Sequence, residues 1–112
     1  MTDRIASDLS PDDVVKLLAL APHPEGGHFR ETFREADPTG GRSLSTAILY
    51  LLATGERSHW HRVDAAEMWH HYAGAPLRLS LCPEGGRVAH RRLGSDFRLD
   101  EEPQIVVPKS WW

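Results

Sequence analysis

Hydrophobic and polar positions follow two different rhythms along the chain. Within "LSPDDVVKLLALAP", Val14, Leu17, Leu18 and Ala21 recur at helical spacing, which predicts one helix. Ser10 is placed to cap it, Pro11 suits its first position, and Asp12 and Asp13 favour the positive end of its dipole. Pro22 and Pro24 end it. Beyond them come short strand-like runs: "GHFRETFRE", "SLSTAILYLLA", "RSHWHRV", "EMWHHYA", "PLRLSLC", "RVAHRRLG" and "PQIVVP". The breaks between them are rich in Gly and Pro ("HPEGG", "DPTGG", "ATGE", "VDAA", "AGAP", "PEGG") and as closely spaced as in a sandwich or barrel. The pattern predicts a helix and leader over residues 1–21 and an antiparallel all-β domain over residues 22–112.

Individual runs carry finer expectations. "AILYLL" is apolar on both faces and predicts a central strand covered on both sides. Leu77, Leu79 and Leu81 alternate with Arg78, Ser80 and Cys82, as in a strand wetted on one side. Strict alternation in "HFRETFRE" puts Phe29, Glu31 and Phe33 on one face, with Glu31 either a buried acid or, the favoured reading, the answer to an arginine across a dimer. After Ile105, Val106 and Val107, "VPKSWW" stops soon after a turn, and its paired tryptophans would be poorly covered. The expectation is a chain recorded without its last strands.

Composition narrows the function classes. A chain of 112 residues holds one domain. With 13 basic and 16 acidic residues, a net charge of −3 and no arginine stripe, it lacks the footprint of a nucleic-acid binder. Cys82 is the single cysteine, and the first twenty residues carry Asp3, Arg4, Asp8, Asp12, Asp13 and Lys16, so a cytoplasmic protein without an internal disulfide is expected. The longest apolar run, "AILYLLA", falls well short of the ~20 residues that span a bilayer. The expected partner is a small molecule.

Candidate chemistry gathers in "RSHWHRVDAAEMWHH", which holds four of the seven histidines. Read as a strand, it sends His59, His61 and Val63 one way and Trp60 and Arg62 the other. Past the turn at Asp64-Ala65-Ala66, Glu67, Trp69 and His71 share a face opposite Met68, His70 and Tyr72. Facing inward, His59, His61, Glu67 and His71 would meet in one cavity. Imidazoles and a carboxylate suit Fe, Mn, Ni or Zn, and the same groups without metal move protons. His23, His28 and His90 lie near turns or arginines and are expected to be solvated.

"GERSHWHRVDAAEMWHHYAG" resembles the first conserved motif of the cupin superfamily: a glycine, five residues, His-x-His, three or four residues, Glu, six residues and Gly. Gly55, His61, Glu67 and Gly74 fall on it, while Val63 takes the second histidine's place and His59 comes two residues early. Together "PHPEGGHFRETFR", "STAILYLL", "WHRVDAAEMWHHYAG" and "PQIVVPKSWW" are similar, in order, to a small cupin-like subfamily first described as a domain of unknown function. The resemblance implies a double-stranded β-helix jelly roll, a pocket inside it, a homodimer, and a last ligand position beyond Trp112. It also brings in the metal-free nucleotide-sugar epimerases of the superfamily, which use a histidine base.

Three functions follow. In the first, the pocket binds a sugar, nucleotide-sugar or similar polar metabolite, with His61 as base and Glu67 as partner in an epimerase or isomerase; His59, Tyr50, Trp69 and His71 line it, and Tyr50 or Tyr72 donates. In the second, His59, His61 and Glu67 hold a divalent transition metal for an oxygenase or isomerase. In the third the pocket binds without turnover. The ligand count favours a metal-free site over a metal-loaded one.

Overall fold

The computed structural model describes residues 9–112, and the expectations for the leader before them lie outside that range. In chain order the elements are α1 (Pro11–Leu17), β1 (Ala21–Pro22), β2 (His28–Glu35), β3 (Ser45–Leu51), β4 (Glu67–His70), β5 (Leu77–Leu81), β6 (Ala89–Leu93), a short 3-10 turn (Phe97–Leu99) and β7 (Gln104–Val107). Among the described residues strands predominate, with one short helix, in line with a small cupin-type β fold. The strands form an antiparallel sheet in the order β1-β2-β3 and two antiparallel pairs, β4 with β7 and β5 with β6. The chain divides into two compact units, Asp8–His59 and Trp60–Trp112. Among the described residues no helix is long and apolar enough to cross a membrane.

In Asp8–His59 the helix begins as its sequence dictates. Ser10 Oγ accepts from Asp13 N–H and the Asp13 carboxylate accepts from Ser10 N–H, both at 3.1 Å, a reciprocal capping box behind Pro11. It ends sooner than its apolar stripe suggests, because Ala19 turns to a positive φ of 54°. Leu17 and Leu18 are left exposed.

Two expectations for β2 and β3 are corrected. Glu31 pairs with Ile48 but Phe33 pairs with Ala47, so Thr32 is an extra residue, a bulge. Ile48 and Ala47 are neighbours on opposite faces, and Glu31 and Phe33 are therefore on opposite faces too. Arg34, opposite Thr46, joins Glu31's face, which explains how residues three apart in a strand meet: Arg34 Nε and Nη2 each donate to the Glu31 carboxylate at 2.8 Å. Glu31 is exposed and answers an arginine of its own strand. β3, expected at the centre, is an edge of the described sheet; Ile48 is 41% exposed and no residue of the strand is buried.

In Trp60–Trp112 the core is apolar and compact. Leu81, Leu93, Ile105 and Val107 are buried, with Trp69, Leu77, Leu79 and Trp111 packed against them. β4 and β7 alternate as strands wetted on one side do: Glu67 and Trp69 are half-buried and Met68 and His70 exposed, while Ile105 and Val107 are buried and Gln104 and Val106 exposed. The paired tryptophans, expected to be poorly covered, divide: Trp112 is 42% exposed, as expected, and Trp111 is not. Trp111 reaches the core, and Trp112 exchanges backbone hydrogen bonds with Cys82, at 3.0 and 2.8 Å.

Candidate functional site

His61 and Glu67 are the predicted site residues that Trp60–Trp112 brings together. His61 Nε2 lies 3.8 Å from Glu67 Oε1, and the two side chains are 28% and 36% exposed, covered enough to be oriented yet reachable from solvent. Glu67 is placed by the first rung of β4, opposite Val107, and Trp69 sits two residues on, on the same face, opposite Ile105. The pair therefore adjoins an apolar floor. Burying even part of an ionised carboxylate is unfavourable without a partner, and an imidazole at this distance supplies one.

The strand expected over "RSHWHRV" does not form, and residues 57–63 are irregular. Their backbone groups are satisfied singly instead of by a ladder: His59 N–H donates to Glu25 O at 2.8 Å in one unit, and Val63 O accepts from Ser110 N–H at 2.9 Å in the other. Period-two alternation thus has no hold on His59 and His61. Within the segment, the Arg62 guanidinium lies 5.4 Å over the Trp112 ring and 3.9 Å from the Glu84 carboxylate. An open hollow of about 380 Å³ is bordered by Arg62, Val63, Asp64 and Ser110, none of them a predicted site residue.

His71 carries on the Glu67 side of the strand, its backbone N–H bonded to Pro103 O at 2.9 Å. Its ring turns to the following loop, Nε2 lying 3.1 Å from Gly74 O. Among the described residues no group of three or more His, Cys, Asp or Glu side chains is arranged to hold a metal ion. Within Trp60–Trp112 the His61–Glu67 pair supplies one nitrogen and one carboxylate, fewer donors than a resident transition metal takes from a protein.

Tyr50 belongs to the other unit and to a cluster that the sequence pattern alone did not reveal. Its hydroxyl donates to Gly26 O, in the turn of "HPEGG". His23 packs against it at 4.9 Å and meets Phe29 edge-on at 4.7 Å between ring centroids. His23 Nδ1 accepts from Glu25 N–H at 2.9 Å, which leaves the proton of the neutral ring on Nε2. The histidine expected to be solvated is thus a half-buried turn brace. Gly26 and Gly27 make this possible: both have positive φ, and a Cβ on Gly27 would stand 2.5 Å from Leu51 O and 2.8 Å from Leu52 Cδ2. Burial pushes the Tyr50 phenol above its ordinary pKa, with the charges of Glu25 and Glu56 adding to the rise and the Ser58 hydroxyl opposing it. The glycine pair was the visible signal; that His23 would fold onto Tyr50 depends on the β2–β3 register.

The comparisons with known proteins agree with this architecture. A family model described as "Cupin superfamily (DUF985)" matches residues 12–112. A crystal structure from Shewanella oneidensis is similar at 41% identity and a TM-score of 0.81, over 89% of this chain and 64% of that one. A hypothetical protein from Leishmania major is similar at 29% identity and a TM-score of 0.81, over 92% of this chain and 67% of that one. A protein of Pseudomonas paraeruginosa named as a probable allantoicase is 32% identical over 77 residues, 68% of this chain. The match spans only 22% of that protein's length.

Proposed function

The chain belongs to the cupin superfamily, in the family DUF985, and on that premise we propose that it binds a small polar metabolite of the sugar or nucleotide-sugar kind through His61 and Glu67. Proton transfer to and from the bound molecule is the chemistry. The observation that carries the reading is the His61–Glu67 pair itself: a nitrogen and a carboxylate oxygen 3.8 Å apart, partly exposed, beside the half-buried Trp69. Hydroxyl groups of a sugar could bridge two groups at that separation, and an indole is a suitable surface for the apolar face of a sugar ring.

In an epimerase or isomerase the substrate must lose a proton beside a carbonyl and regain it. Imidazole is suited to that exchange at neutral pH. His61 takes the proton, and Glu67 holds the ring in place and balances the imidazolium formed. The name of the Pseudomonas relative belongs to a much longer protein, and it adds allantoate to the molecules worth testing.

The test is a thermal-shift and calorimetric panel of nucleoside diphosphate sugars, free aldoses and allantoate, on the parent protein and on His61→Asn and Glu67→Gln. At least one sugar compound is expected to stabilise the parent by mass action, and both variants should bind it at least about tenfold more weakly while melting like the parent in its absence. Solvent deuterium entering the bound substrate, followed by proton NMR, should stop in His61→Asn. A panel with no sugar binder, or binding that both variants retain, overturns the reading; binding lost with no deuterium entry in the parent reduces it to a binding module.

A further inference from the structure

The exposed face of the β5–β6 pair sets like charges opposite each other. In its register Arg78 stands across from Arg92 and Ser80 across from His90, so these four side chains share one face, while Leu77, Leu79 and Leu81 turn toward the core on the other. Two guanidinium groups directly opposite one another on a sheet repel. The buried Glu101 offsets one of them, accepting from Arg92 Nη2 at 3.1 Å. Arg78 has no ion pair among the described residues. Arg91, on the opposite face, is engaged by Glu102, its Nε donating to Oε2 at 2.8 Å. His90 Nδ1 lies 2.7 Å from Ser80 Oγ; with the Ser80 hydroxyl donating to it, the proton of the neutral ring is on Nε2. Pro76, Arg78, His90, Arg91 and Arg92 line an open hollow of about 420 Å³, within the ~300–1,000 Å³ typical of small-molecule sites.

The chain as a whole carries a net charge of −3, so this cationic face is local and runs against the protein's own balance. We propose that the hollow binds the phosphoryl group of a small molecule, with Arg78 and Arg92 as donors from the two strands and His90 as the third. A phosphoryl group presents three acceptor oxygens in three directions and meets donors from both strands at once, whereas a carboxylate has two oxygens in one plane and serves a single fork. Its negative charge also removes the repulsion between Arg78 and Arg92. The site uses none of the residues of the sugar-binding reading, so either can fail without the other.

The experiment is an NMR titration of ¹⁵N-labelled protein with inorganic phosphate, a nucleoside diphosphate and acetate, repeated on Arg78→Ala, Arg78→Lys and, as a control outside the hollow, Arg42→Ala. Saturable shifts are expected at the β5 and β6 amides with both phosphoryl compounds and not with acetate. Arg78→Ala should weaken binding by about ten- to a hundredfold, Arg78→Lys by less, and Arg42→Ala not at all, with all three variants keeping the parent's circular dichroism. Tighter binding of the nucleoside diphosphate than of inorganic phosphate makes the source a phosphorylated metabolite; equal binding makes it free phosphate. Shifts of equal size with acetate, shifts that survive in Arg78→Ala, or no saturation at millimolar phosphate overturn the proposal.

Discussion

Trp60–Trp112 buries Leu81, Leu93, Ile105 and Val107 against four further apolar side chains, whereas Leu20 is the one buried apolar residue among those described in Asp8–His59. Both stretches are strand-rich, and both pair their strands antiparallel. What differs is the source of order. Trp60–Trp112 is organised by apolar burial, with short strands hung around a small core. Asp8–His59 is organised by backbone geometry: a capping box, a long two-strand ladder, and a glycine turn braced by His23 and Tyr50. Similar secondary structure therefore conceals different sensitivities, to side-chain volume in one unit and to backbone conformation in the other.

Matched substitutions would break or sharpen this contrast. Ile105 is 1% exposed and Ile48 41%. Ile105→Ala should cost about 2–5 kcal/mol of unfolding free energy in denaturant titrations, and Ile48→Ala under about 1 kcal/mol; equal losses would erase the distinction. Backbone sensitivity should show next at Gly27. Gly27→Ala, with a strained φ and a Cβ against Leu51 O, is expected to cost roughly 1–3 kcal/mol, whereas Gly85→Ala, also at positive φ but with nothing near its Cβ, should cost less. The smallest effect is one the two units share. Hydrogen bonds from Arg34 hold Glu31 below its ordinary pKa of 4.5, and those from Arg91 do the same for Glu102. A folded value below the unfolded one means stability that is present above 4.5 and lost as pH falls through the folded value. Glu31→Gln and Glu102→Gln should each lower Tm slightly at neutral pH, less so in high salt, and the gap to the parent should close in acid. A gap that persists in acid would assign these pairs some other role.

Much of the fold was legible because strands announce themselves locally. "EMWHHYA", "PLRLSLC", "RVAHRRLG" and "PQIVVP" became β4, β5, β6 and β7 within a few residues, since alternation and Gly/Pro breaks are properties of the segment itself. "RSHWHRV" carried the same signal and failed, because a strand also needs a partner ladder and here the backbone bonds go singly to Glu25 and Ser110. "AILYLL" failed in another way: an apolar composition on both faces states what a strand could bury, not what the fold sets beside it. For the site, Glu67 and Trp69 were readable from alternation along β4, and the cupin-like motif pointed to His61 and Glu67. The nearness of His23 to Tyr50, and of Arg78 to Arg92, depends on register between strands, which is set by pairing and turns and not by either segment alone.

The bulge in β2 has a consequence for how this strand tolerates changes in length. Between the rungs Glu31–Ile48 and Phe33–Ala47, β3 advances by one residue while β2 advances by two. Thr32 is the surplus letter, its hydroxyl reaching back to Ala47 O at 3.3 Å. Striking it out would leave a regular ladder with each remaining side chain on the face it already occupies. Deleting Arg30 instead would reverse the parity of the residues on one side of the gap relative to the partner strand, and part Phe29 from Tyr50 or Arg34 from Glu31. Chains of this kind that differ by one residue within the strand are therefore expected to gain or lose it at the position of Thr32.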